Sequence, residues 1–162
     1  MENIVSREIL KERLESLKNE GKKIVFTNGC FDIIHAGHVR YLREAKKLGD
    51  ILVLALNSDS SVKVIKGDER PIVPEEERAI VVGSLVSVDF VTLFDEETPL
   101  RLIEYLRPHI LVKGGDWDEE NVVGRDAVRQ WGGEVVIIPE VKGASTTNII
   151  EKIRNNFSLQ KK

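Results

Sequence analysis

The sequence predicts an α/β fold, a Rossmann-like, doubly wound parallel sheet of five strands with helices on both faces. Two observations carry this reading. Five short apolar runs rich in β-branched residues recur along the chain, the composition of strands buried within a sheet. Between them lie segments of helical period, and strands alternating with helices imply a parallel sheet covered on both sides. With 162 residues, 41% of them hydrophobic, the chain suits one domain, 1–162, with a helical extension at 1–21 and a catalytic core at 22–156.

In order, residues 6–20 read as a helix. Ile9, Leu10, Leu14 and Leu17 form its apolar stripe, Ser6 can cap it and Gly21 breaks it. Residues 23–27 are the first strand, followed by the loop NGCFDII. From Ala36 to Leu48 the apolar positions Val39, Leu42, Ala45 and Leu48 restore a helical period, and Gly49 ends it. Residues 51–57 are the second strand, and 58–74 read as a long polar loop, a length that in a compact domain signals function or mobility. Pro74 and three glutamates open a helix over 75–85. Strands follow at 88–94, 109–114 and 134–139, with helices at 98–106, 124–131 and from Thr146 to about Asn156.

Composition excludes several classes. A net charge of −3 argues against a chain whose main task is to coat nucleic acid. The single cysteine, Cys30, rules out an internal disulfide and a cysteine-rich metal site. The charged N-terminus is unlike a signal peptide, and no apolar run approaches the roughly 20 residues that span a membrane. A cytoplasmic enzyme is expected, with no membrane or nucleic-acid partner.

In a doubly wound sheet, ligands bind beyond the carboxyl ends of the strands, so the informative residues follow each strand. After the first strand stands His35-Ala36-Gly37-His38, which contains two of the chain's three histidines. Gly37 permits close approach of backbone and phosphate, and both imidazoles start a helix whose free N–H groups already favour anions. Two histidine donors there suit charge growing on a phosphoryl group. A zinc pair or a helix cap are the other readings, with Asp32 as the one further ligand for zinc. Ser145, Thr146 and Thr147 open the last helix with hydroxyls and backbone amides, a phosphate cradle or an ordinary cap. Lys63 and Lys66 lie in the 58–74 segment, either solvated or reaching an anion. Gly114 and Gly115 allow close backbone approach, and Asp116 and Trp117 offer a carboxylate and a stacking face, or a glycine turn beside a half-buried Trp.

TNGCFDIIHAGH resembles the signature loop of the cytidylyltransferase-like nucleotidyltransferases, whose hallmark is His-x-Gly-His after the first strand. KGASTTNI at 142–149 is similar to that family's second signature, and the blocks occur in the family's order over residues 23–155. Asn148 stands where the family often has a basic residue, and Cys30 where more distant relatives often have threonine. Within the family, NSDSSVK, KGGDW and STTNII look most like the adenylyltransferase branch that accompanies heptose kinases, here as a stand-alone unit. The resemblance implies transfer of AMP from ATP to a sugar phosphate, a heptose 1-phosphate giving ADP-heptose, with release of pyrophosphate. It implies catalytic roles for His35, His38 and Lys63. Nucleotide contacts are implied for Cys30, Phe31, Gly37, His38, Gly114, Asp116, Trp117, Ser145, Thr146 and Thr147. Substrate contacts are implied for Asn28, Asp32, Lys63 and Arg78.

A phosphate is already a nucleophile, so catalysis by positioning and electrostatics suffices, and no Ser/His/Asp or Cys/His set is present. Mg²⁺ is expected to be held mainly by the ATP phosphates, with no dedicated protein metal site. A homodimer is a further possibility. A glycerol-3-phosphate cytidylyltransferase using CTP shares every motif. A class I aminoacyl-tRNA synthetase would need more chain. A nucleotide sensor without turnover would not require the histidine pair.

Overall fold

The computed structural model describes residues 2–115, 118–139 and 145–157. Its sheet has five parallel strands: β1 (Ile24–Gly29), β2 (Ile51–Asn57), β3 (Phe90–Phe94), β4 (Ile110–Gly114) and β5 (Glu134–Ile138). Their order is β3-β2-β1-β4-β5. Two successive strands are added on one side of β1 and two on the other. The direction of travel therefore reverses between β1 and β4, which opens a crevice at their carboxyl ends.

Side-chain alternation explains the two layers of core. In β2, Leu52, Leu54 and Leu56 face one way and Val53 and Ala55 the other, all fully buried. The first face packs on α2 (Ala36–Lys46) through Leu42 and Ala45, and on α4 (Glu75–Gly83) through Ala79 and Val82. The second packs on α1 (Arg7–Asn19), α5 (Leu100–Leu106) and α6 (Arg125–Gln130) through Leu10, Leu14, Leu102, Leu106 and Val128. The expected extension at 1–21 thus supplies two fully buried leucines to the core. Just before it, Val91 of β3 exchanges backbone hydrogen bonds with the start of the chain, Val5 N–H to Val91 O at 3.0 Å and Val91 N–H to Asn3 O at 2.9 Å.

The strand at 51–57 occurs as expected, and the other elements agree within a few residues at their ends. The exception is 58–74, which is not one long loop. Residues Asp59–Lys66 form α3, capped by Ser58, whose hydroxyl accepts from Ser61 N–H at 3.2 Å. Only Val62 and Ser61 of this helix are buried, so its apolar stripe is too thin to stand out from polar neighbours. A short 3-10 turn, Glu119–Asn121, precedes α6, and α7 (Thr146–Phe157) closes the described chain with no buried residue.

Close packing makes some glycines obligatory. A Cβ on Gly49 would lie 2.7 Å from both Lys23 O and Val25 Cγ2, where the chain hooks from α2 into β2. At Gly83, in the last turn of α4, the nearest atoms would be at an ordinary 3.5 Å. Gly49→Ala should therefore destabilise by about 1–3 kcal/mol through overpacking. Gly83→Ala should be neutral or stabilise by up to about 1 kcal/mol, because alanine is the better helix former. Urea denaturation of both variants checks the contrast, and equal effects would contradict the packing at residue 49.

Candidate functional site

β1 ends in Asn28 and Gly29, and the chain turns sharply through Cys30 and Phe31. Phe31 has a left-handed φ of 44° and a buried ring. That ring explains Gly29, where a Cβ would lie 2.9 Å from Phe31 Cε2. Two buried charged groups hold the loops around this turn. Asp32 accepts from Arg70 Nε at 2.6 Å, from the Ile72 amide at 2.9 Å and from the Val73 amide at 2.8 Å. Burial alone would raise its pKa, but the two amides and Arg70 outweigh burial and hold the carboxyl below its usual range. Arg78, 1% exposed, donates to Val73 O, Cys30 O, Asn57 O and Asp59 Oδ1 at 2.6–2.9 Å.

After this turn His35 caps α2, its Nδ1 accepting from the Gly37 amide at 3.1 Å. A neutral His35 then carries its proton on Nε2. One turn further on, His38 stacks on it, with ring centroids 3.9 Å apart and planes 28° apart, and leans on Phe31 at 5.2 Å. Burial, and secondarily the His35 imidazole, lower the His38 pKa to about 4. His38 is therefore neutral at pH 7, a hydrogen-bonding group and not a fixed cation. Its Nδ1 is buried without a partner, as is Asn28 Oδ1. Buried polar atoms are ordinarily paired, so two orphans at one strand end mark a place for a ligand.

Two cavities meet here. One, of about 320 Å³, extends past His35, Gly37, Tyr41 and Gly114 to Ile138, Pro139 and Ser145. The other, of about 680 Å³, extends past Asp32, Asn57, Lys66 and Arg70 to Glu97, Val123 and Thr147. Asn28, Gly29, Cys30, Phe31, His38, Lys113, Gly114 and Thr146 line both. Ser145 caps α7 by accepting from the Asn148 amide at 3.0 Å, and Thr146 donates to Ile33 O at 3.3 Å, which ties the last helix to the first loop. Tyr41 spans β1 and β4. Its hydroxyl lies 2.6 Å from Thr27 Oγ1 and donates to Val112 O at 3.2 Å, and its ring closes on Gly114, where a Cβ would lie 3.0 Å away.

The structure thus gathers Asn28, Cys30, Phe31, Asp32, His35, Gly37, His38, Gly114, Ser145, Thr146 and Thr147 around two joined cavities. Two expected substrate contacts, Lys63 and Arg78, line neither cavity, and a third, Asp32, is already bonded within the protein. Lys63 lies exposed on α3 and lines neither cavity, whereas Lys66, one turn further along at the end of the helix, lines the larger one. Arg78 is enclosed by the three carbonyls and the carboxylate above and lines neither cavity. Asp32 lines the larger cavity, yet both its oxygens are committed to Arg70 and the 72–73 backbone. Asp116 and Trp117 lie outside the described residues. The third histidine, His109, accepts from the Ile24 amide at 2.9 Å and belongs to the strand start. Lys113, Arg70 and Tyr41 went unnoticed in the sequence. The one available signal was the lysine breaking an apolar strand just before Gly114.

Among the described residues no group of three or more His, Cys, Asp or Glu side chains could hold a metal ion, and no helix is long and apolar enough to cross a membrane. Residues 26–152 match the family model described as Cytidylyltransferase-like. A bifunctional protein HldE of Pelobacter propionicus is 53% identical over 155 residues, covering 96% of this chain and 32% of that protein. Its counterpart in Geobacter metallireducens is 58% identical over 140 residues, covering 86% of this chain and 29% of that protein. The chain therefore spans about a third of the length of these relatives. Among solved structures, the lipopolysaccharide core biosynthesis protein from Thermoplasma volcanium matches with a TM-score of 0.62 and 32% identity. That match covers 76% of this chain and all of the other.

The low His38 pKa has a consequence for stability. Unfolded histidine titrates near 6.5, so between pH 6.5 and 4 the unfolded chain binds a proton that the folded chain refuses. This contribution is absent above pH 6.5 and destabilises the fold as pH falls towards 4. The melting temperature of wild type relative to His38→Asn should therefore drop across that window. A pH-independent difference would show that His38 takes up its proton as readily in the folded chain as in the unfolded one.

Proposed function

The chain belongs to the cytidylyltransferase-like family of nucleotidyltransferases, and from that premise we propose that it transfers AMP from ATP to D-glycero-D-manno-heptose 1-phosphate, giving ADP-heptose and pyrophosphate. The observation that carries the reading is the stacked His35–His38 pair at the start of α2, with His38 lining both cavities. Two substrates joined through one phosphorus need two binding spaces that share a wall, and the transferred group belongs at that wall.

The smaller cavity suits the nucleotide, with Gly37, Gly114 and Ser145 allowing backbone and hydroxyl contact. The larger suits a phosphorylated polyol, since Asn28, Asn57, Lys66 and Arg70 surround it with donors and acceptors. An oxygen of the acceptor phosphate forms a bond to the α-phosphorus as the bond to the bridging oxygen breaks. The electron pair leaves with pyrophosphate, and no general base is required. His35 and His38, fixed by capping and stacking, donate hydrogen bonds to the oxygens on which charge accumulates. Donors already fixed in place need no reorganisation as that charge develops. Mg²⁺ accompanies the triphosphate, and the described side chains supply no cage for it.

Adenine and heptose rest on the TNGCFD and KGGDW blocks and on the likeness to a lipopolysaccharide core biosynthesis protein. ATP and CTP crossed with heptose 1-phosphate and glycerol 3-phosphate, read as pyrophosphate release, test the assignment. ATP with heptose 1-phosphate should stand out, because polar pockets discriminate strongly against analogues that leave buried groups unpaired. Release only from CTP with glycerol 3-phosphate would make the enzyme a cytidylyltransferase. Binding of ATP without release from any pair would make it a sensor. His35→Ala and His38→Ala should each lower kcat on the order of 10²–10³-fold, with smaller changes in nucleotide affinity. Near-wild-type turnover in both would remove the histidines from the mechanism.

A further inference from the structure

Lys113 sits next to the end of β4 and lines both cavities together with His38, Asn28 and Thr146. Among the described residues, no hydrogen bond or ion pair engages its ammonium. The other cations in this region differ. Arg70 is paired with Asp32 at 2.6 Å, Arg78 with Asp59 at 2.7 Å, and Lys66 is exposed. Burial lowers the pKa of Lys113, the signature of an ammonium short of counter-charge. A protein keeps a partly buried, unpaired cation at a cost in folding energy, and an anionic ligand offsets that cost only on binding.

We propose that Lys113 is a catalytic residue whose ammonium holds phosphate oxygens at the seam of the two cavities, which His38 also lines. This rests on the nucleotidyl-transfer reading of the site. The group that occupies the seam is the one both substrates share at the moment of reaction: the α-phosphoryl group flanked by the attacking phosphate. There Lys113 draws two mutually repelling anions together and neutralises charge as one phosphorus–oxygen bond forms and the bond to pyrophosphate breaks. It gains and loses no proton. His38 supplies a neutral donor on the same wall, so the fixed positive charge comes from the strand side of the crevice.

The test uses the full chain with Lys113→Met and Lys113→Arg. Lys113→Met should lower kcat on the order of 10²–10³-fold, with KM for either substrate changing far less. Lys113→Arg should restore part of the loss. The melting temperature of Lys113→Met should hold or rise, because an unpaired charge is removed. A lowered melting temperature with wild-type kcat per folded molecule would mean a structural role and overturn the proposal. So would raised KM values with kcat intact.

A second measurement needs neither variant nor turnover. Wild-type protein is acylated with an amine-reactive reagent and mapped by peptide mass, with and without Mg·ATP or inorganic pyrophosphate. Loss of Lys113 labelling on adding either anion, with exposed Lys47 labelled throughout, is expected. Labelling of Lys113 that neither anion reduces, or no labelling in the free protein, overturns the proposal. If wild type labels as expected yet releases no pyrophosphate, the transfer reading fails while anion binding by Lys113 stands.

Discussion

The reversal of strand order between β1 and β4 is the constraint on which the rest of the molecule depends. Neighbouring parallel strands normally continue in one direction, and their connecting helices close over the carboxyl ends. Where the direction changes, helices depart to opposite faces and leave the ends of β1 and β4 uncovered. Asn28 and Gly29 on one strand and Lys113 and Gly114 on the other become the floor of the crevice. Tyr41 rivets that floor from beneath by bonding to Thr27 and Val112 across the same pair of strands.

A floor alone does not orient the imidazoles above it. Arg78 and Asp32 do that by making most of their hydrogen bonds to backbone. Arg78 gathers the carbonyls after β1, at the end of β2 and before α4, while Asp59 balances its charge. Asp32 draws in the 70–73 segment. The Phe31 turn, and with it the entry angle of α2, is held between these two clamps. The stacked imidazoles are thus oriented by packing and capping.

The strands were legible because β1, β2 and β4 are buried on both faces and read as continuous apolar runs. The His-x-Gly-His block was legible because its chemistry is local, one cap and one helical turn. α3 was not, since Ser58 and Asp59 suit a cap and a loop equally, and Val62 alone marks a buried side. That miss moved the expected lysine. On a helix, Lys63 and Lys66 share one face a turn apart, and only Lys66, at the carboxyl end, lines the larger cavity. The buried place of Arg78 was hidden for a different reason. A guanidinium that satisfies four backbone and side-chain acceptors from distant segments looks in sequence the same as one awaiting substrate. Tyr41 acquires its place from the adjacency of β1 and β4, which no local pattern records, and Lys113 showed only as the lysine that interrupts an apolar run.

The backbone pairing of Asn3 and Val5 with Val91 bears on which edge of the sheet is open to another chain. β3 ends the sheet, and a bare terminal strand offers unpaired amides and carbonyls to any neighbouring chain. The first residues occupy the middle of that edge, and Leu10 and Leu14 of the helix behind them seal the adjoining apolar layer. Shortening the chain to the catalytic motifs would therefore expose a pairing edge and a hydrophobic face together, the combination that turns a folded domain into a template for aggregation.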